Sequence, residues 1–267
     1  MTSMFAFFKR SIKSFLRERG YTLARTVDLP HLVRMQGYTV SNTNKFVSGV
    51  NVYHDIQKLA NANLFQTIFD IGANVGQTTF KLVEHFPNSR IFAFEPVSET
   101  FKELEKNTRA QPNVTVAQFA FGTEQGRAII TLRPNSEWNS LVPALNLPST
   151  APVPHEDVKI ETIDCFITAN QISTIDLLKT DTEGYDLAAL RGAENALSQN
   201  RIAFIYSEVG FIKADTRHTF FPELNDFLAR FGFEFYDLYE IAHPPHRGIQ
   251  YCNALFVNVN TLKPPQT

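Results

Sequence analysis

The chain has 267 residues, with 25 basic and 27 acidic side chains and a net charge of -2; it therefore lacks the broad positive field on which non-specific nucleic-acid binding draws. Its length suits one large α/β domain with an attached segment, and a chain of this size hides roughly 70 to 75% of its unfolded surface, enough for a core without staples. Two cysteines, Cys165 and Cys252, make neither a disulfide framework nor a four-ligand zinc site, which points to a reducing, cytoplasmic setting.

In chain order, residues 1–60 read as an N-terminal helical segment and residues 61–267 as the main domain. Phe5, Phe8, Ile12, Phe15 and Leu16 share one helical face, with Lys9, Arg10, Lys13, Arg17 and Arg19 largely on the other. Apolar residues precede basic ones, the reverse of a secretory signal, and no run of about 18 apolar residues is present. Two readings stay open: a helix docked on its own domain, where it could cover a substrate, or a peripheral helix lying on the inner face of a membrane.

From Leu64 onward short β-rich runs alternate with amphipathic stretches, the sign of βαβ units and a parallel sheet. Strands are predicted at Thr67–Ile71, Arg90–Glu95, Val114–Phe119, Ile175–Asp181, Ile202–Glu208, Glu234–Leu238 and Ala254–Val259. Helices are predicted at Gly76–His85, Ser98–Thr108, Asp186–Gln199 and Phe220–Phe231, the last entered through Pro222. Residues 239–253 carry no helical pattern, so the last two strands should close a seven-stranded, mostly parallel sheet as an antiparallel hairpin.

Between the third and fourth of these strands, Gly126–Leu132 and Val158–Ile163 alternate apolar and polar residues and predict an antiparallel insertion. The connection 133–157 holds Trp138 and five prolines. Long connections of this kind are functional or disordered, so it reads as a lid or as a surface insertion.

Phe69-Asp70-Ile71-Gly72 ends a buried strand and Gly76 opens the next helix, a turn that lets a ligand approach backbone N–H groups. Glu95 ends the following strand, where a carboxylate can accept hydrogen bonds from ribose hydroxyls. Gly72-Ala73-Asn74-Val75-Gly76 lacks the middle glycine that makes room for a pyrophosphate in dinucleotide sites. S-adenosylmethionine has no phosphate, and it is the ligand this turn predicts.

These segments resemble the FkbM-type family of class I S-adenosylmethionine-dependent methyltransferases. They are FDIGANVGQTT at 69–79, FEP at 94–96, AFG at 120–122 followed by Gly126, TIDCF at 162–166, LLKTDTEGYDLAALRGA at 178–193 and YSE at 206–208. The resemblance implies a Rossmann-like fold and methyl transfer to oxygen, often of a sugar or polyketide hydroxyl. It implies that Asp70, Gly72, Asn74 and Gly76, with Ala73 and Gln77 in the same turn, line the cofactor's amino-acid end. Glu95 and the adjoining Pro96 would hold its ribose, and Ala120 and Phe121 would lie near adenine. The chain departs from the family after Gly184, where Tyr185-Asp186 replaces a small residue and Glu, so substrate contacts at Tyr185 are expected to be its own.

An alcohol acceptor must lose a proton during methyl transfer, which calls for a base near the methyl group. Asp181 and Glu183, at the end of the fourth strand and in the turn after it, are the candidates; one would act as base while Asp181 also meets the cofactor. They could instead only cap the next helix. Glu208, His243 in the turn His243-Pro244-Pro245-His246, and Trp138, Asn139 and Ser140 in the connection are candidate contacts for a small-molecule or glycan acceptor. Asp181 and Glu208 could hold magnesium, but no third ligand announces itself and no metal is expected. Two alternatives to an O-methyltransferase remain: a catalytically silent Rossmann-like module in a glycan-assembly complex, and an NAD-dependent oxidoreductase.

Overall fold

The computed structural model describes residues 49–60, 65–133, 136, 139–141, 154–242 and 248–262, all within the unit Ser48–Thr267. The amphipathic stretch 4–19, Trp138, His243 and His246 lie outside the described residues. In chain order the elements are α1 (Val52–Leu59), β1 (Thr67–Ile71), α2 (Gln77–His85), β2 (Arg90–Phe94), α3 (Ser98–Thr108), β3 (Val114–Ala117), β4 (Ala120–Phe121), β5 (Gly126–Thr131), β6 (His155–Glu161), α4 (Ile163–Ala169), β7 (Ile175–Thr180), α5 (Asp186–Arg191), α6 (Glu194–Ser198), β8 (Ile202–Gly210), β9 (Thr219–Phe220), α7 (Phe221–Ala229), β10 (Phe233–Ala242) and β11 (Tyr251–Asn258).

The main sheet runs β10-β11-β8-β7-β1-β2-β3, with the short β9 added to β8. Pairs from β3 through β8 are parallel, and β11 is antiparallel to both β8 and β10. This is the Rossmann-like sheet with a closing antiparallel pair that the sequence predicts. Strands covered on both faces read as continuous apolar runs, and all five residues of β1 are buried.

Alternation along each strand sends side chains to opposite faces. Phe69, Ile71, Leu178, Ile205, Ala254 and Phe256 join one core cluster under α4 to α7. Ile68, Leu177, Phe204, Tyr206, Leu255 and Val257 join the other, with Val52, Tyr53 and Ile56 of α1 and Leu82 of α2. Helix α1, read from sequence as part of the N-terminal segment, thus packs in the core of this unit. Its start is fixed by Asn51, whose side chain accepts from the His54 amide at 3.1 Å. Phenylalanines build much of the first cluster: Phe69, Phe94, Phe121 and Phe166 stack edge to face or tilted at 4.7 to 5.9 Å.

Two local expectations change. The insertion forms its antiparallel pair β5–β6, but β6 ends at Glu161 because the Thr162 side chain caps the next helix, accepting from the Cys165 amide at 3.2 Å. The short β4 then adds to β6 in parallel, making a separate three-stranded sheet. The helix predicted over Asp186–Gln199 splits at Gly192-Ala193, where the Gly122 carbonyl packs against Gly192 too closely to admit a side chain.

Candidate functional site

Strand order reverses between β1 and β7, and ligands in open α/β sheets bind beyond the strand ends at such a switch point. Two turns meet there. The first, after β1, runs through Gly72 (φ 75°), Asn74 (φ 50°) and Gly76 (φ 102°). The second, after β7, runs through Glu183 (φ 52°) and Gly184 (φ 91°). A side chain at Gly72 would strike the Asp181 carbonyl, so glycine is what lets the turns touch. Glu183 is a non-glycine residue in the left-handed region, at a cost of about 1 to 2 kcal/mol.

The turns border a cavity of about 320 Å³, within the range of small-ligand sites. Gly72, Ala73, Asn74, Gln77, Glu95, Pro96, Ala120, Phe121, Asp181, Glu183, Tyr185, Glu208 and Asn139, all picked out from sequence, line it. Asp70, Gly76 and Ser140 do not. Asp70 is fully buried behind the wall, accepting from the Thr79 hydroxyl at 2.6 Å and facing Lys179 at 3.9 Å. Gly76 caps α2 against Leu104. Ser140 donates to the Glu183 carbonyl at 2.7 Å and so braces the second turn. Ser136 of the same connection lines the cavity and donates to the Asn74 side chain at 3.2 Å.

One end of the cavity suits a nucleoside. Glu95 is buried, and its two oxygens accept from the Asn74 amide at 3.1 Å and the Val97 amide at 2.9 Å. Burial pushes its carboxyl up to about 7, against those two amides. Each oxygen keeps a lone pair for a ribose hydroxyl. Phe94, Phe119, Ala120, Phe121 and Ile130 supply an apolar wall beside it, where a base can lie. The donor set therefore fits S-adenosylmethionine.

The other end is acidic. Register pairs Asp70 with Lys179 across β1 and β7, and Lys179, almost wholly buried, reaches Asp181 at 3.0 Å. Burial opposes the charge of Lys179, but Asp181 and Asp70 outweigh it and hold the ammonium protonated well above its ordinary range. Burial and the neighbouring Asp181 push Glu183 up to about 8 and Glu208 up to about 9. Asp181, Glu183 and Glu208 each offer an oxygen, the three within 4.8 Å of one another, a spacing that a divalent cation can bridge. Glu183 is the third carboxylate that sequence spacing did not suggest. Its distance from Glu208 along the chain hides their approach.

Asp186, at the position where the chain departs from the family pattern, is fully buried and turns away from the cavity. It accepts from the Thr182 amide at 3.1 Å and the Thr219 hydroxyl at 3.0 Å, tying the second turn to β9. Arg217, His218 and Tyr251 also line the cavity, and sequence reading singled out none of them. Asp215-x-x-His218, just beyond β8, the strand that carries Glu208, was the available signal.

A family model described as Methyltransferase FkbM domain matches residues 70–235. Methyltransferase 1 of Beauveria bassiana (strain ARSEF 2860) is 28% identical over 145 residues, 48% of this chain and 58% of that protein; the match thus spans less than two thirds of that relative. Hexuronic acid methyltransferase AglP of Haloferax volcanii is 23% identical over 208 residues, 74% of this chain and 82% of that protein. Among solved structures, M. capricolum TrmK in complex with S-adenosyl-homocysteine aligns with a TM-score of 0.45 at 12% identity, over 80% of this chain and 70% of that one. With the cofactor turn, the ribose acid and the TDTEG turn all inside the matched span, the chain belongs to the FkbM methyltransferase family and uses S-adenosylmethionine.

Proposed function

We propose that this protein is an O-methyltransferase acting on a hydroxyl of a saccharide or small metabolite. The observation that carries this reading is the two-ended cavity, with a nucleoside wall around Glu95 and a carboxylate cluster around Asp181 and Glu183. Bound S-adenosylmethionine supplies a methyl group on an electrophilic sulfonium, and the chain's task is to align an acceptor oxygen with it, a positioning worth about 7 to 11 kcal/mol of barrier.

Glu95 and Pro96 hold the ribose, Ala120 and Phe121 the base, and the Gly72–Asn74 turn with Gln77 the amino-acid end. Asp181, paired with Lys179, accepts from a hydroxyl of the acceptor and orients it. Glu183, protonated near neutral pH, donates to it or to its neighbour on the sugar. Tyr185, Glu208 and Asn139 complete the acceptor wall, and Arg217 offers a guanidinium to an acidic sugar, the class named for the Haloferax relative.

Calorimetry with S-adenosylmethionine, S-adenosylhomocysteine and NAD is the first test. Binding of NAD alone ends the reading, and binding without turnover on any glycoside or metabolite favours a silent module instead. Isotopically labelled methyl donor with a panel of phenyl glycosides and glucuronides then identifies the acceptor. D181N and E183Q are each expected to lower turnover by about 100-fold with cofactor binding intact; unchanged turnover removes the assignment.

A further inference from the structure

Between β8 and β9 the chain makes an excursion, residues 211–218, that returns to the same strand edge. Parallel pairing of Val209 with Thr219 places His218 directly beside Glu208. Two close approaches accommodate this segment. A Cβ on Gly210 would lie 2.8 Å from the His218 Cβ, and the Thr216 carbonyl packs against Gly184 with no room for a side chain. The ring of His218 is 5% exposed and stacks on Tyr251 at 4.5 Å between centroids and 8° between planes. Its Nδ1 lies 2.9 Å from Asp215 Oδ2. Its Nε2 faces Glu208 Oε2 at 3.8 Å, beyond hydrogen-bond length.

Asp215 is well placed to choose the tautomer. Burial works against its charge, but the Arg217 amide at 3.1 Å and the imidazole hold its carboxyl below the usual range. An ionised carboxylate only accepts, so the neutral ring puts its proton on Nδ1 and leaves Nε2 with a lone pair. Glu208 Oε2 is buried without a hydrogen-bond partner among the described residues. A 3.8 Å separation leaves no room for a third atom between Nε2 and Oε2, so an oxygen that donates to Nε2 approaches it from the cavity that His218 lines.

We infer that His218 is the general base of this methyltransferase, that Asp215 and Tyr251 are its positioning residues, and that the acceptor hydroxyl approaches His218 Nε2 from the cavity side. The inference rests on the oxygen-methylation reading above and divides its labour: Asp181 and Glu183 orient the acceptor, while His218 takes its proton. The acceptor O–H bond breaks and the proton passes to Nε2. The freed oxygen electron pair bonds the methyl carbon as the C–S bond opens, its electrons staying on sulfur as a neutral thioether. The imidazolium, stabilised by Asp215, then releases its proton to solvent.

The first test needs no acceptor. In full-length protein with labelled histidine and bound S-adenosylhomocysteine, long-range proton–nitrogen correlation spectra, assigned with H218N, should show the neutral ring protonated on Nδ1 and bare on Nε2. D215N should abolish that preference. A wild-type ring protonated on Nε2 overturns the inference. The second test uses the glycoside found by the acceptor panel: H218N should lower kcat at least about 100-fold while the Kd for S-adenosylhomocysteine and the melting temperature stay put, and free imidazole should restore part of the rate to H218A. Wild-type kcat in H218N overturns it. Failure of the wild type to turn over any acceptor counts against oxygen methylation, and the tautomer result decides the His218 assignment by itself.

Discussion

Replacing Gly72 by alanine probes the contact on which the whole site depends. The new Cβ would sit far inside 3.0 Å of the Asp181 carbonyl oxygen, so the ends of β1 and β7 must part by roughly an ångström. Forcing a methyl group into close-packed surroundings costs about 1 to 3 kcal/mol, and a left-handed φ adds about 1 to 2 kcal/mol for a residue with a Cβ. The sum, about 2 to 5 kcal/mol, lowers the melting temperature by roughly 2 to 4 °C per kcal/mol for a unit of this size. Gly192→Ala isolates the steric part, because its Cβ would strike the Gly122 carbonyl while its φ of -70° suits any residue; it should lose about 1 to 3 kcal/mol. Gly126→Ala meets nothing within 4 Å and should be neutral. Differential scanning calorimetry ranks the three, and titration with S-adenosylhomocysteine should show weakened binding for Gly72→Ala alone. A Gly72→Ala protein that melts and binds like wild type would refute the view that the two turns are held in contact by the missing side chain.

Glu95, pushed up to about 7 by burial, binds ribose hydroxyls as a carboxylate. If only that form binds, affinity for S-adenosylhomocysteine should fall about tenfold between pH 8 and pH 6, and E95Q should bind weakly with a flat profile. For stability the sign is opposite. Glu183 at about 8 and Glu208 at about 9 bind protons more tightly folded than unfolded, so their contribution is complete below about pH 4.5 and is lost as pH rises towards 9. The ligand-free melting temperature should decline across that window, and E183Q or E208Q should flatten the decline; a rise would contradict the carboxylate repulsion. Because burial and the neighbouring acids favour the protonated forms of Glu183 and Glu208, added magnesium should leave the melting temperature unmoved, and a clear stabilisation would assign the three carboxylates to a cation instead.

Much of this protein was legible in the amino-acid sequence, wherever the deciding interactions are local in the chain. Central strands announce themselves as apolar runs because both faces are covered, which is why Thr67–Ile71 falls where the run predicts. The cofactor turn and Glu95 are separated by one βαβ step, so their partnership shows in spacing, as does the closing antiparallel pair from the helix-free stretch before its last strand. Tertiary structure decided what local pattern cannot express. Helix α1 belongs to the main core because Val52, Tyr53 and Ile56 complete the face left open by Ile68 and Leu177. The break at Gly192 answers a carbonyl 70 residues away in the chain. Asp70, conspicuous in its motif, is turned behind the cavity wall by strand parity and held there by Thr79 and Lys179. The acidic cluster and the imidazole beside it assemble only when β7, β8 and the excursion before β9 come together in register. Spacing in a sequence records which residues share an element; which side chains share a cavity is set by the order of strands in the sheet.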